Sequence, residues 1–171
     1  MSRAQLSTNL PPTEIQNFEL QNDTVIVKGF GGIGTIATDG GVISVRCKES
    51  ENVMSGSRMY GIAVAFEANQ ARTFFVIDDD EMDRLIQGLD YLGKISYDVT
   101  TMPAFDASFT TRSGLCIAAH SERREGGIQL YLQLGDEARI PLTPDQFAQF
   151  KNLVVQAKKS LDVTKSKNSS S

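Results

Sequence analysis

Along most of the chain apolar and polar residues alternate, the period of strands that cover one face. Phe18–Leu20 reads as a short strand and Thr24–Lys28 as a β-branched one. Gly34–Thr38 and Val42–Lys48 flank Asp39-Gly40-Gly41, a hairpin-turn signal. A loop over Glu49–Met59 then precedes two further strands, Tyr60–Phe66 and Arg72–Ile77. There the period changes. Met82, Leu85, Ile86, Leu89 and Leu92 recur at the spacing of one helical face behind Asp78-Asp79-Asp80-Glu81. The plan then repeats: strands at Phe105–Thr111, Leu115–Ala119, Ile128–Leu134 and Ala138–Leu142 lead to a second helix. That helix opens at Thr143-Pro144-Asp145-Gln146, with Phe147, Phe150, Val154, Ala157 and Leu161 on its apolar face.

An offset of 65 residues superposes the two helices. Asp78 falls on Thr143, Glu81 on Gln146, and Met82, Leu85, Leu89 and Leu92 on Phe147, Phe150, Val154 and Ala157. Both starts have the form of a capping box, an N-cap Asp or Thr with Glu or Gln three residues on. Upstream, Ala71-Arg72 corresponds to Ala138-Arg139 and Gly61-Ile62 to Gly127-Ile128, with short length changes between. The fold class expected is α+β: antiparallel β-sheets from a duplicated ββββα unit, with two amphipathic helices packed on them. Residues 1–14 read as a flexible lead, 15–98 as the first unit, 99–161 as the second and 162–171 as a disordered polar tail. Residues 15–161 are expected to form one globule.

Composition narrows the function classes. With 171 residues, 40% of them apolar and 22% charged, the chain is sized and balanced for one globular domain. No window approaches the roughly 20 apolar residues of a membrane helix, and the start lacks the apolar run of a secretory signal, so a cytoplasmic protein is expected. The net charge of −4 is uneven. Residues 1–105 hold 8 Lys/Arg against 14 Asp/Glu, and residues 106–171 hold 9 against 7. A general nucleic-acid binder usually has a clear basic excess, and only the second half offers a slight one.

Each motif that invites chemistry reduces to architecture. Gly29-Phe30-Gly31-Gly32-Ile33-Gly34 spells G-x-G-x-x-G after a strand, but the β-branched run behind it starts no helix, so it reads as a hairpin or bulge rather than a dinucleotide site. Asp78–Glu81 lacks the spacing of a calcium loop and suits a helix N-terminus. Cys47 and Cys116, 69 residues apart with His120 alone nearby, do not form a zinc pattern and read as structural thiols. Cys116 and His120 share a strand face but stand about 13 Å apart, too far for a nucleophile and its base. No metal, cofactor or catalytic residue is called for.

Two tandem ββββα units over residues 42–161 resemble the architecture of Whirly-type single-strand DNA-binding proteins and of Pur-type repeats. This resemblance implies curved sheets that carry nucleic acid; it transfers no residues, and the acidic first half and absent Trp depart from it. Phe75–Leu92 is similar to segments of small bacterial proteins of unassigned function, which implies a bacterial source. The function expected is a non-catalytic binding or protein-interaction domain. The alternatives are single-stranded nucleic-acid binding and a small-ligand-binding sheet or barrel. For nucleic acid the best-supplied residues are Arg112, Arg123, Arg124 and Arg139 for phosphates, with Phe109 and Tyr131 for stacking. A homodimer is expected through an apolar strip at Tyr91, Leu92, Ile95 or Leu161. The protein partner is open, and a membrane is not among the partners expected.

Overall fold

The computed structural model describes residues 12–136 and 138–170. A short helix α1 (Glu14–Glu19) precedes β1 (Ile26–Thr38), β2 (Gly41–Asn52), β3 (Arg58–Ala68) and β4 (Ala71–Asp78). Helix α2 (Met82–Gly93) follows, then β5 (Phe105–Thr110), β6 (Leu115–Ser121), β7 (Gln129–Leu134), β8 (Ala138–Leu142) and α3 (Pro144–Ser169). The strands form two four-stranded antiparallel sheets, in order β1-β2-β3-β4 and β5-β6-β7-β8. This is the expected α+β fold, with four strands and a helix in each half. Both sheets are open, and neither closes into a barrel.

The helices are exchanged between the halves. Helix α3 lies under the first sheet, where Leu153 fills the space beside Gly34, the Ala157 carbonyl accepts the Cys47 thiol at 3.4 Å, and Gln146 Nε2 donates to the Ala37 carbonyl at 3.0 Å. Helix α2 lies under the second sheet, with Phe109 against Gly88 so closely that a Cβ there would come within 2.7 Å of the ring. One core cluster consequently contains the inner faces of both sheets and the apolar faces of both helices. Each unit covers the other's sheet, so the two units share a single hydrophobic interior. The helices run antiparallel. Lys151 pairs with Asp90 at 2.7 Å, Lys158 with Asp83 at 2.6 Å, and Lys165 with Asp79. Lysines seven residues apart on α3 thus meet aspartates in reverse order on α2 and its 3₁₀ entry, which fixes the helix–helix register.

Both capping boxes form: Asp78 N–H donates to Glu81 at 3.0 Å, and Thr143 N–H to Gln146 at 2.9 Å. Met82, Leu85, Leu89 and Leu92 are buried, as are Phe147, Phe150, Val154, Ala157 and Leu161. The glycine-rich motif is a β-bulge. The strands expected on either side of it are one strand, β1, whose register with β2 shifts between Gly32 and Gly34. Cys47 and Cys116 are free, half-buried thiols on strands, and burial pushes the Cys47 thiol up.

Five local expectations are corrected. Phe18–Leu20 is not a strand. Phe18 and Glu19 end α1 and Leu20 caps it, because Thr13 and Gln16 form a third capping box too short to leave a periodic signature. Of the expected 1–14 lead, Thr13 and Glu14 are therefore ordered parts of the fold, and residues 1–11 lie outside the described residues. The Glu49–Met59 loop is shorter than expected, since β2 continues to Asn52 and β3 begins at Arg58. The polar stretch after Leu161 is helical to Ser169. Side-chain bonds hold it in place of apolar burial: Lys165 to Asp79, and Asn168 Nδ2 to Glu49 at 2.9 Å and to the Tyr60 hydroxyl at 2.8 Å. The apolar strip expected to drive dimerisation is interior: Leu92 and Leu161 are buried between the layers and Ile95 is half-buried, leaving only Tyr91 in solvent.

Candidate functional site

Six residues of the second unit were expected to supply a nucleic-acid surface, and the fold distributes them. Phe109 faces inward against α2. Tyr131 is on the opposite, outer face, paired across the ladders with Ala118 and Pro141, and Arg139 stacks on its ring at 4.6 Å. Tyr131 is nonetheless buried, with only its edge left to solvent. Arg124 is spent on the backbone, donating to the Tyr97 and Thr100 carbonyls at 3.1 and 3.2 Å, while the Tyr97 hydroxyl accepts Gly127 N–H at 2.6 Å. Arg123 sits in the β6–β7 turn beside His120 and Gln129. His120 in turn contacts Asp106 through Nδ1 at 2.5 Å. Of the six, only Tyr131 and Arg139 stand together on an outer face.

Arg112 is a structural clasp. Its guanidinium donates to Asp80 through both terminal nitrogens at 2.8 Å and to Asp78 at 3.1 Å, and its backbone N–H donates to Glu81 at 2.8 Å. Asp78, 1% exposed, also accepts Glu14 N–H at 2.8 Å and Ile15 N–H at 3.0 Å. The β5–β6 turn, the entry to α2 and the start of α1 therefore meet on one carboxylate. Carboxylates of Glu14, Asp78 and Asp80 approach within 4.8 Å of one another, the spacing of a cation site, but Arg112 already supplies the positive charge for two of them.

The Arg112 hydrogen bonds hold the Asp80 carboxyl below its ordinary 3.8. Burial alone would raise Glu19, but hydrogen bonds from Lys48 and Ser50 and the Lys48 charge outweigh it and hold Glu19 below its ordinary 4.5. Lys48 and Ser50 bind the same Glu19 oxygen at 2.7 and 2.6 Å, fastening the end of α1 onto the sheet. Both groups are depressed by folding, so the unfolded chain binds more protons in acid. Their stabilisation is complete above about pH 4.5 and is lost as pH falls through the lowered values. Urea midpoints measured from pH 7 to pH 3 are expected to stay level to about pH 5 and then fall. Glu19→Gln should remove part of that fall.

The outer face of the first sheet, partly covered by α1, carries two exposed aromatics over buried Ala63 and Ala65, and sequence reasoning did not single it out. Phe30 on β1 is 50% exposed and Phe74 on β4 is 61% exposed. Register puts Lys48 opposite Phe30 and Arg46 opposite Gly32, and the Arg46 guanidinium lies 4.5 Å over the Phe30 ring. Beyond Arg46 the face is floored by short side chains: Ala63 is its partner on β3, Ser44 pairs with Ala65, and Ala65 with Phe74. Strand spacing and rise put the two phenylalanines about 20 Å apart across this floor. Lys28 and Lys48 share the single carboxylate of Glu19. Arg46 has no acidic partner among the described residues, and its Nε is buried without a hydrogen-bond acceptor. Buried donors are normally satisfied. The signal in the sequence was weak, since Arg46 and Phe30 sit in different strands and only the pairing joins them.

The molecule so defined is an α+β protein of two open antiparallel sheets with exchanged helices, one of whose outer faces presents an aromatic–arginine platform. No helix among the described residues is long and apolar enough to cross a membrane. No family model, curated protein or solved structure matches the chain.

Proposed function

We propose that the protein is a non-catalytic binding domain that receives an anionic partner on the outer face of its first sheet. One observation carries this reading: the Arg46 guanidinium lies 4.5 Å over the Phe30 ring with no carboxylate partner among the described residues. A guanidinium already resting on an aromatic ring has less freedom to lose on binding, and its fork suits a bidentate acceptor. The non-catalytic reading is supported by the separation of Cys116 and His120 along β6 and by the contact of His120 with Asp106.

Single-stranded nucleic acid is the second reading, favoured by Phe30 and Phe74 standing half-exposed on either side of Arg46. Stacking on such rings is worth about 1–3 kcal/mol per base, and phosphate is the acceptor Arg46 lacks. Both readings are tested by following the Arg46 Nε–H resonance during titration with a glutamate-rich peptide and with a mixed-sequence oligonucleotide at low salt. The Arg46 signal is expected to shift with its anionic partner, and Arg46→Ala to weaken binding about tenfold. An oligonucleotide that leaves Phe30, Arg46 and Phe74 unmoved at tens of micromolar protein removes the nucleic-acid reading. Silence with both ligands removes the platform as a binding site.

A further inference from the structure

The edge of the first sheet carries a second surface, which shares Phe30 with the outer face. Among the described residues, strand β1 pairs with β2 on one side only. At 13 residues it is more than twice the usual strand length. Proteins protect such edges with proline, charge, polar side chains or bulges, and the bulge of β1 lies beyond Gly32. Here β8 carries Pro141 and Arg139, and β5 exposes Asp106, Ser108 and Thr110. Residues 25–33 of β1 and its approach have one charge, Lys28, and no proline, and they expose Val25, Val27 and Phe30 by half or more.

The glycines of this edge are not required by the fold. A Cβ at Gly31 or Gly32 would meet nothing within 4 Å, and one at Gly29 would only touch the Glu49 carbonyl at 4.0 Å. None of the three has positive φ. Gly34, by contrast, is packed against Leu153. Glycine inside a strand is destabilising unless a bulge, a close backbone or a ligand calls for it; Gly32 adjoins the bulge, so Gly29 and Gly31 are the two that mark an approach from outside.

We infer that β1 pairs antiparallel with β1 of a second copy of this chain about a two-fold axis at Gly29. A two-fold interface must be self-complementary, and the sequence around Gly29 has that property. The axis sets Lys28 opposite Phe30 of the second copy and Phe30 opposite its Lys28, on the face where Arg46 and Lys48 already stack on the ring. It sets Val27 opposite Gly31 and Ile26 opposite Gly32, branched side chains over empty positions, and Val25 opposite Ile33. The two sheets join into eight strands with their Phe30–Arg46 platforms side by side. Nine residues a side is a small interface, so the dimer forms reversibly at micromolar concentration or above.

Sedimentation of the full chain is expected to give a mass rising from 18.7 kDa toward twice that value between about 1 and 200 µM. Val27→Asp, at an exposed position, should weaken the dimer at least tenfold with the circular dichroism unchanged. Paired Cα atoms across an antiparallel ladder are about 4.5–5.5 Å apart, within disulfide reach. Gly29→Cys should therefore cross-link to a covalent dimer in a glutathione-disulfide buffer, while Val42→Cys, exposed on the outer face away from the axis, should not. A monomer mass at every concentration overturns the inference and leaves the edge to a foreign strand. So does a dimer that ignores Val27→Asp and yields no Gly29→Cys cross-link.

Discussion

Phe150→Ala is expected to lower the free energy of unfolding by about 3–5 kcal/mol, the range for emptying a buried aromatic site. Phe150 is 0% exposed on α3, in the one cluster that joins both sheets to both helices. A cavity there cannot be filled by a surface movement, because α3 is tied at both ends. Gln146 bonds to the Ala37 carbonyl near its start, and Asn168 bonds to Glu49 and Tyr60 near its finish. Phe150→Leu keeps most of the volume and should cost about 1 kcal/mol. Urea denaturation checks both: the midpoint should move with the slope unchanged. A loss below about 1 kcal/mol for Phe150→Ala would mean that the halves do not share this core.

Asp78→Ala should cost about 3 kcal/mol, more than an ordinary helix cap. The substitution leaves Glu14 N–H and Ile15 N–H without their acceptor and removes one partner of Arg112. Buried donors left unpaired cost about 1–3 kcal/mol each. Asp78→Asn should recover little, since both carboxylate oxygens accept N–H groups and an amide would turn a donor toward one of them. Arg112→Ala should be milder than Asp78→Ala, because Asp78 keeps its two backbone donors. Thermal melts with amide exchange on residues 13–19 separate the effects: Asp78→Ala is expected to release α1 as well as lower the melting point.

The elements of this fold were legible where a single local rule acts. The 3.6-residue period of Met82, Leu85, Leu89 and Leu92 and of Phe147, Phe150, Val154 and Ala157 identifies two helices, since each must bury one stripe. Alternation identifies all the strands of the second half and β2, β3 and β4 of the first, with β1 read as two pieces. Asp39-Gly40-Gly41 reads as a turn because few residues other than glycine accept its backbone. The repeat emerges from the same signals at an offset of 65. Elements held by polar contacts were hidden. Helix α1 is six residues long, and the carboxylate over its start, Asp78, comes from 63 and 64 positions away. The last turns of α3 are anchored through Lys165 and Asn168, which hydrophobic periodicity does not register.

The candidate site divides the same way. Arginines of the second half can be counted in the sequence, but whether one is available depends on what folding brings beside it. Arg112 meets Asp78 and Asp80, Arg124 meets two carbonyls, and Arg139 lies on Tyr131. Phe109 and Tyr131 are both strand aromatics, and parity sends one under α2 and the other to the outer face. Arg46 gains its significance only from register, which sets it beside Phe30 and leaves it without a carboxylate among the described residues. Local sequence determined the period, caps and turns of this protein, because those depend on residues a few positions apart. The exchange of helices between sheets, the clasp on Asp78 and the pairing of Arg46 with Phe30 on the first sheet were decided by tertiary structure, because each depends on charges and surfaces that meet only after strands far apart in sequence have paired.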